Sequence, residues 1–283
     1  MKTENWYYYN RAMLPKKAPH EEADTSVITD GTIWKNPKKP LLARWTTDFD
    51  CGYETEWWFC IRDGKISLDD MKSKKRKKII SGLKNVEVRQ LDTLEYIDEI
   101  YEVYTRAFSK YEFSKELSKE EFFEKEMLDK SSNIECWGAF LKTNGKLVAY
   151  RKCIKFDKCV DFSESKYHPD FLGLRIAEAL TYVMLDYYLN TLDLDYVFSG
   201  ERTINHVTSM QSFYEEHFSF RKAYCNLNIA YRPIMKAAVK VLRIFKKPIE
   251  KIGKKVNIFH SIDAIIKMDI IARKCKKVKG RNI

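Results

Sequence analysis

A polar cluster, the segment SGERTINHVTSMQ from Ser199 to Gln211, holds the side chains best suited to chemistry. A carboxylate or an imidazole can act as a general base, and a guanidinium can bind an anionic group. The segment follows a predicted strand, and open α/β sheets bind ligands at the carboxyl ends of their strands. We therefore predict that Glu201 and His206 are catalytic. We predict that Ser199, Arg202 and Gln211 bind substrate.

The alternative is a solvated loop that leads into a helix. Thr203, Asn205 and Thr208 have side chains of the kind that cap helix N-termini. For any single residue the two interpretations are equally good. The density of polar groups along the whole segment favours a site.

A second acidic segment, DFDCGYETEWW at 48–58, is predicted to form another wall of a site. Aromatic rings beside carboxylates can stack on the face of a sugar while the carboxylates hold its hydroxyls or its amine. On this basis Glu54 and Glu56 are predicted to bind substrate. The alternative is a hairpin turn whose tryptophans pack in the core, and for Trp57 and Trp58 we favour that interpretation.

The composition is that of a folded chain with one large domain or two small ones, since 45% of its 283 residues are hydrophobic. No apolar run reaches the ~20 residues that a membrane span needs. The first ten residues, MKTENWYYYN, contain no apolar stretch, so we expect a cytoplasmic protein without a signal peptide. The seven cysteines are odd in number and never spaced CxxC, so we expect reduced thiols and no metal site.

The net charge of +11 is concentrated at one end of the chain. Residues 236–283 hold 15 Lys and Arg against 3 Asp and Glu, so this tail carries +12 and residues 1–235 carry −1. The basicity therefore belongs to the tail. A nucleic-acid-binding body is not indicated.

The segment 86–232 predicts a mixed sheet with helices on both faces. Asn144-Gly145 lies between two apolar runs and predicts a β-hairpin. A long apolar helix at 169–190 connects two strands, and such a crossover favours their parallel pairing. The predicted order is strand 86–91, helix 94–108, helix 119–130, the hairpin at 137–156, strand 158–165, helix 169–190, strand 194–200, a short helix ending near 222, and a last strand.

Three regions follow from these patterns. Residues 1–85 form an N-terminal extension, irregular to residue 40, with strands at 41–47 and 55–62 and a basic helix at 69–84. Residues 86–233 form the core. Residues 234–283 form a basic, helical tail.

The element order, together with FYEEHFSF at 213–220, resembles the GNAT acyltransferase fold, whose members commonly carry an FYEK-x-GF segment after the penultimate strand. Ser219 replaces the usual glycine. Residues 67–88, SLDDMKSKKRKKIISGLKNVEV, resemble the basic helix before the first core strand of FemAB-like transferases. Those enzymes join an acyl or aminoacyl group to an amine on a cell-wall precursor. The resemblance implies an α/β (α+β) fold, a GNAT-like mixed sheet flanked by helices.

The resemblance also implies roles for particular residues. Tyr214 matches the family's general acid; the alternative is a helix tyrosine packed on the sheet. GNAT enzymes hold the coenzyme A pyrophosphate with Q/R-x-x-G-x-G/A at the start of the long helix, where bare amides suit an anion. Here DFLGLR, residues 170–175, aligns Gly173, Leu174 and Arg175 as cofactor-binding residues. Asp170 replaces a basic or amide residue, which weakens the match.

The function implied is N-acyl transfer from acyl-CoA, with acetyl-CoA as the typical donor, to an amine on a sugar or cell-envelope precursor. One alternative is a Fem-like transferase that uses aminoacyl-tRNA, which makes tRNA a possible partner. Another is a non-catalytic scaffold that kept the fold.

The basic tail contains two amphipathic stretches, and three interpretations of them are open. Ile234, Ala238, Val241, Leu242 and Phe245 form a stripe in the first, which Pro248 ends. In the second, Ser261 is predicted to cap a helix that carries isoleucines. The stretches are helices packed on the domain, or they attach to an anionic inner-membrane surface, or they bind an RNA backbone.

Overall fold

The computed structural model describes residues 4–109, 116–128, 133–204, 209–242, 244 and 257–280. The chain folds into two compact units. The central unit is Ile61–Gly200 with Met210–Arg221. The terminal unit comprises Met1–Cys60, Glu201–Ser209 and Lys222–Ile283.

Ten strands and eight α-helices occur in the described residues. The strands are β1 (Trp6–Tyr9), β2 (Ala12–Pro15), β3 (Leu42–Thr47), β4 (Trp57–Asp63), β5 (Val86–Leu91), β6 (Ile134–Leu141), β7 (Leu147–Lys155), β8 (Cys159–Tyr167), β9 (Tyr196–Glu201) and β10 (Arg221–Tyr231). The helices are α1 (Ser26–Thr29), α2 (Ser73–Asn85), α3 (Ile97–Phe108), α4 (Lys119–Leu128), α5 (Ile176–Leu185), α6 (Ser209–Phe218), α7 (Pro233–Leu242) and α8 (Asn257–Lys279).

The central unit is built on the strand order β9-β8-β7-β6-β5. Neighbours from β5 to β8 are antiparallel, whereas β8 and β9 run parallel. The mixed sheet is therefore confirmed. The hairpin β6–β7 turns at Gly145, whose φ of 72° is the left-handed conformation that glycine accepts without strain.

Helices cover both faces of this sheet. On one face α3 and α4 pack against Tyr150 of β7 in a core that includes Ile100, Val103 and Phe122. Successive side chains of a strand point to opposite faces, so Arg151 points the other way, toward α5. Strand β7 is consequently buried on both sides from Leu147 to Cys153, although this segment includes Arg151 and Lys152.

The prediction of a single long helix at 169–190 is wrong. A 3₁₀ turn occupies Pro169–Leu174, α5 begins only at Ile176, and a π-helical turn at Asp186–Thr191 follows it. Arg175 between the first two has a left-handed backbone, with φ of 61°, which no helix interior tolerates. The apolar pattern continues through the break, so the sequence did not reveal it. The predicted crossover between parallel strands is confirmed.

The terminal unit has the strand order β1-β2-β3-β10-β4. Residues 6–15, predicted to be irregular, form a β-hairpin, because Asn10 and Arg11 both take positive φ and reverse the chain. β3 and β4 form strands as predicted, but β10 lies between them, so they are not a hairpin. Trp57 packs in the core of this unit with Cys225 of β10 and with Ile271 and Cys275 of α8.

In the central unit, α2 approaches the start of α5 through Gly82. A Cβ atom at position 82 would lie 2.3 Å from the carbonyl oxygen of Arg175 and 2.9 Å from the Cβ of Ala179. Only hydrogen fits there. The contact fixes the basic helix α2 against the start of α5.

We expect Gly82→Ala to lower the free energy of unfolding by about 1–3 kcal/mol, because backbone must move to accept the methyl group. The matched control is Gly173→Ala, where an added Cβ meets nothing within 4 Å. Urea denaturation of both variants tests the difference. Equal stability of the two variants would contradict the close approach.

Candidate active site

Strand β8 loses its regular pairing on both sides at the same point. Its parallel pairing with β9 covers only Cys159–Asp161, although β8 continues to Tyr167. Opposite β7, Phe162 and Ser163 face the single residue Cys153, which is a β-bulge. A bulge leaves main-chain groups outside the β7–β8 ladder, and this bulge lies next to the point where β8 leaves β9. A main-chain amide outside a ladder is suited to an oxyanion.

A fully buried arginine lies beside the bulge. Arg151 of β7 is 0% exposed. Its guanidinium donates to Ser165 Oγ at 2.7 Å, Tyr167 Oη at 2.7 Å and Thr181 Oγ1 at 3.2 Å. Phe162 lies 4.5 Å from the guanidinium carbon. No carboxylate of the described residues pairs with this cation. Its partners are hydroxyl groups, aromatic rings and the Met184 sulfur, which accepts from Nη1 at 3.8 Å.

The predicted acid, Tyr214 of α6, lies on the same face of the sheet. Its ring stacks on Phe220 at 4.8 Å and lies 6.3 Å from Phe162. The Arg151 guanidinium is 5.6 Å from the ring centre. Burial raises the pKa of Tyr214 above its usual range, and the nearby Arg151 cation opposes that effect. The phenol is therefore protonated at neutral pH, as a general acid must be.

At the start of α5, where the donor is predicted to bind, the positive charge of Arg175 is partly neutralised by a carboxylate. Arg175 lies 3.5 Å from the buried carboxylate of Glu178 in the first turn of the helix. Gly173 is exposed, and the space around its Cβ position is open. Leu174 is half-buried, and its carbonyl accepts from Asn85 Nδ2 at 3.2 Å. Their role in donor binding remains a prediction.

Two of the predicted substrate residues meet in the central unit. Gln211 Nε2 donates to the main-chain carbonyl of Ser199 at 3.4 Å, and both residues are half-buried. This bond joins the start of α6 to β9. The Ser199 side chain takes no part in this hydrogen bond.

Glu201, predicted as a base, belongs to the terminal unit. One carboxylate oxygen lies 2.5 Å from Arg44, and the other accepts from Trp57 Nε1 at 2.9 Å. The Arg44 guanidinium lies 5.6 Å from the Trp57 ring centre. These partners hold the Glu201 carboxylate in a defined orientation.

Glu56 and Arg202, predicted separately as substrate residues, bind each other in the terminal unit at 2.8 Å. Lys274 of α8 donates to the second oxygen of Glu56 at 2.6 Å. Hydrogen bonds from Lys274 and Arg202 lower the pKa of Glu56. Glu54 is exposed. His206 lies outside the described residues, so its role stays a prediction.

Sequence reasoning missed Arg151 and the bulge beside it. The available signal was a cation inside the apolar run LVAYRKCIK, where a buried strand rarely carries charge. The bulge has no comparable signal. Within the described residues, no group of three or more Cys, His, Asp or Glu side chains is arranged to hold a metal ion.

No family model matches the chain, and no curated protein matches it in sequence. Solved structures resemble it in fold. The C-terminal domain of a putative lysylphosphatidylglycerol synthetase from Agrobacterium fabrum has a TM-score of 0.52 at 10% identity, over 83% of this chain and 82% of that one. FemX has a TM-score of 0.50 at 8% identity, over 70% and 74%. The PaiA N-acetyltransferase from Thermoplasma acidophilum, in complex with coenzyme A, has a TM-score of 0.31 at 16% identity, over 38% and 74%. The predicted GNAT-like fold is confirmed.

We expect Arg151→Lys to lower the free energy of unfolding by about 3 kcal/mol, because one ammonium cannot replace the guanidinium fork that bonds Ser165, Tyr167 and Thr181. Arg151→Met removes the buried charge altogether and should cost less. Urea denaturation of the two variants gives the order. A methionine variant less stable than the lysine variant would contradict the account of a cation without a counterion.

Proposed function

We propose that the chain transfers an acyl group to an amine of a sugar or cell-envelope precursor. The observation behind it is that β8 bulges and separates from β9 beside the buried phenol of Tyr214 on α6, whose ring lies 6.3 Å from that of Phe162 in the bulge. Transfer of this kind needs an oxyanion-binding amide and a proton donor for the leaving group. The GNAT-like fold supports the same reaction.

In the proposed reaction the acceptor amine attacks the donor carbonyl, and the carbon–nitrogen bond forms while the bond to the leaving group breaks. An unpaired amide of β8 stabilises the oxyanion. Tyr214 gives its proton to the leaving group. A general base takes the proton that the amine loses, and this is the role predicted from the sequence for Glu201 and His206. Arg151 offsets the negative charge that the phenol gains.

The proposed donor is acyl-CoA, with acetyl-CoA the simplest case, bound at Gly173, Leu174 and Arg175. A second proposed donor is aminoacyl-tRNA. The buried Glu178 in the first turn of α5 counts against coenzyme A, since a carboxylate there opposes a pyrophosphate. The name of the Agrobacterium fabrum neighbour, a putative lysylphosphatidylglycerol synthetase, also supports aminoacyl transfer.

Thermal unfolding with each donor separates these candidates. A ligand at a hundred times its Kd stabilises the folded state by about 2.7 kcal/mol, so acetyl-CoA or aminoacyl-tRNA should raise Tm by several degrees. The matched variant is Gly173→Asp, which places a carboxylate in open space at the start of α5. Loss of the acetyl-CoA shift in this variant supports the donor site. A wild-type chain that responds to neither donor contradicts transfer and supports a scaffold.

We expect Tyr214→Phe to lower kcat by about a hundredfold or more while leaving KM for the donor nearly unchanged, because only the proton donor is removed. Steady-state kinetics with the donor that raises Tm measures both constants. The control is Tyr104→Phe, which removes another buried phenol from the central unit, one that accepts from the Leu117 amide at 3.1 Å. Unchanged kcat in Tyr214→Phe would exclude this tyrosine as the acid.

A further inference from the structure

Helix α7 of the terminal unit exposes large apolar side chains. Ile234 is 81% exposed and Val241 is 55% exposed. Ile244, whose amide donates to the Val241 carbonyl at 3.0 Å, is 79% exposed. Large apolar side chains that are exposed at neighbouring surface positions normally mark an interaction site.

The exposed residues form one stripe. Positions 234, 237 and 241 of α7 follow the three- and four-residue spacing that places side chains on one side of a helix, and Ile244 follows in the turn after it. Val239, on a different side, is 2% exposed and anchors the helix to the terminal unit. The stripe predicted from the sequence, which included Ala238 and Leu242, mixed these two sides.

Lysines border the stripe. Lys236 and Lys240 are both exposed, and neither pairs with a carboxylate of the described residues. The acidic residues of α8 point inward instead: Asp263 and Asp269 are each 5% exposed and are paired with Lys267 and Arg273. The exposed groups of α7 are thus apolar or cationic.

We propose that α7 and Ile244 bind the surface of an anionic bilayer. Ile234, Val241 and Ile244 insert below the headgroups, and Lys236 and Lys240 meet the lipid phosphates. This is the arrangement of an interfacial helix, which combines apolar insertion with attraction to anionic lipid. None of the helices in the described residues is long and apolar enough to cross the bilayer. The proposal does not depend on the transfer chemistry.

Sedimentation of the full chain with lipid vesicles tests this surface. The wild type should bind vesicles containing phosphatidylglycerol and should leave pure phosphatidylcholine vesicles unbound. Lys236→Gln/Lys240→Gln should weaken binding about fivefold for each lysine removed. Ile234→Ser/Val241→Ser/Ile244→Ser should weaken it more than about tenfold, because three apolar side chains no longer leave water.

The control is Met127→Ser, which removes another exposed apolar side chain, on α4 of the central unit, and should bind as the wild type does. Thermal unfolding of every variant shows whether the fold is retained. Absent wild-type binding, equal binding to both vesicle types, or an unaffected triple-serine variant would each overturn the proposal. So would a wild-type dimer, seen by sedimentation velocity, that the triple-serine variant dissociates, since the stripe would then join two copies.

Discussion

The buried guanidinium of Arg151 constrains the central unit, because it is 0% exposed and pairs with no carboxylate of the described residues. Desolvating a guanidinium is costly, and the cost is recovered only if every donor meets an acceptor in the right place. Ser165 and Tyr167 of β8 and Thr181 of α5 provide those acceptors. Arg151 therefore fixes the distance between a strand and the helix that covers it, and it also contacts Tyr214 of α6.

The same region is where the sheet departs from regular pairing. β8 has partners on both sides up to Asp161 and a partner on one side after it. Regular pairing would use every main-chain amide for stability. The bulge at Phe162 and Ser163 removes some of them from the ladder, and Ser163 Oγ donates to the Lys152 carbonyl at 3.0 Å beside it. The main-chain groups outside the ladder thus lie next to the Ser163 hydrogen bond that stabilises the bulge.

The extent to which the sequence predicted the structure depends on the range of the interaction. The hairpin at Asn144-Gly145 and the parallel crossover were predicted correctly, because turn residues and apolar periodicity are local signals. The hairpin at residues 6–15 was missed, since it depends on positive φ at Asn10 and Arg11, which are not glycines. The pairing of Glu56 with Arg202 could not be predicted, because sequence does not show which distant charges meet.

The terminal unit has a consequence for the order in which the chain can fold. Strand β3 pairs with β10, and Asn226 bonds Asp48 across a separation of 178 residues. At typical rates of synthesis, roughly 10–35 s pass before β3 can meet its partner on a ribosome. During that time the apolar side chains of β3 have no β10 to pair with, whereas β5 to β9 have all been synthesised by the time β10 emerges. The terminal unit is therefore completed late, and residues 42–47 of the nascent chain need protection from aggregation for the longest time.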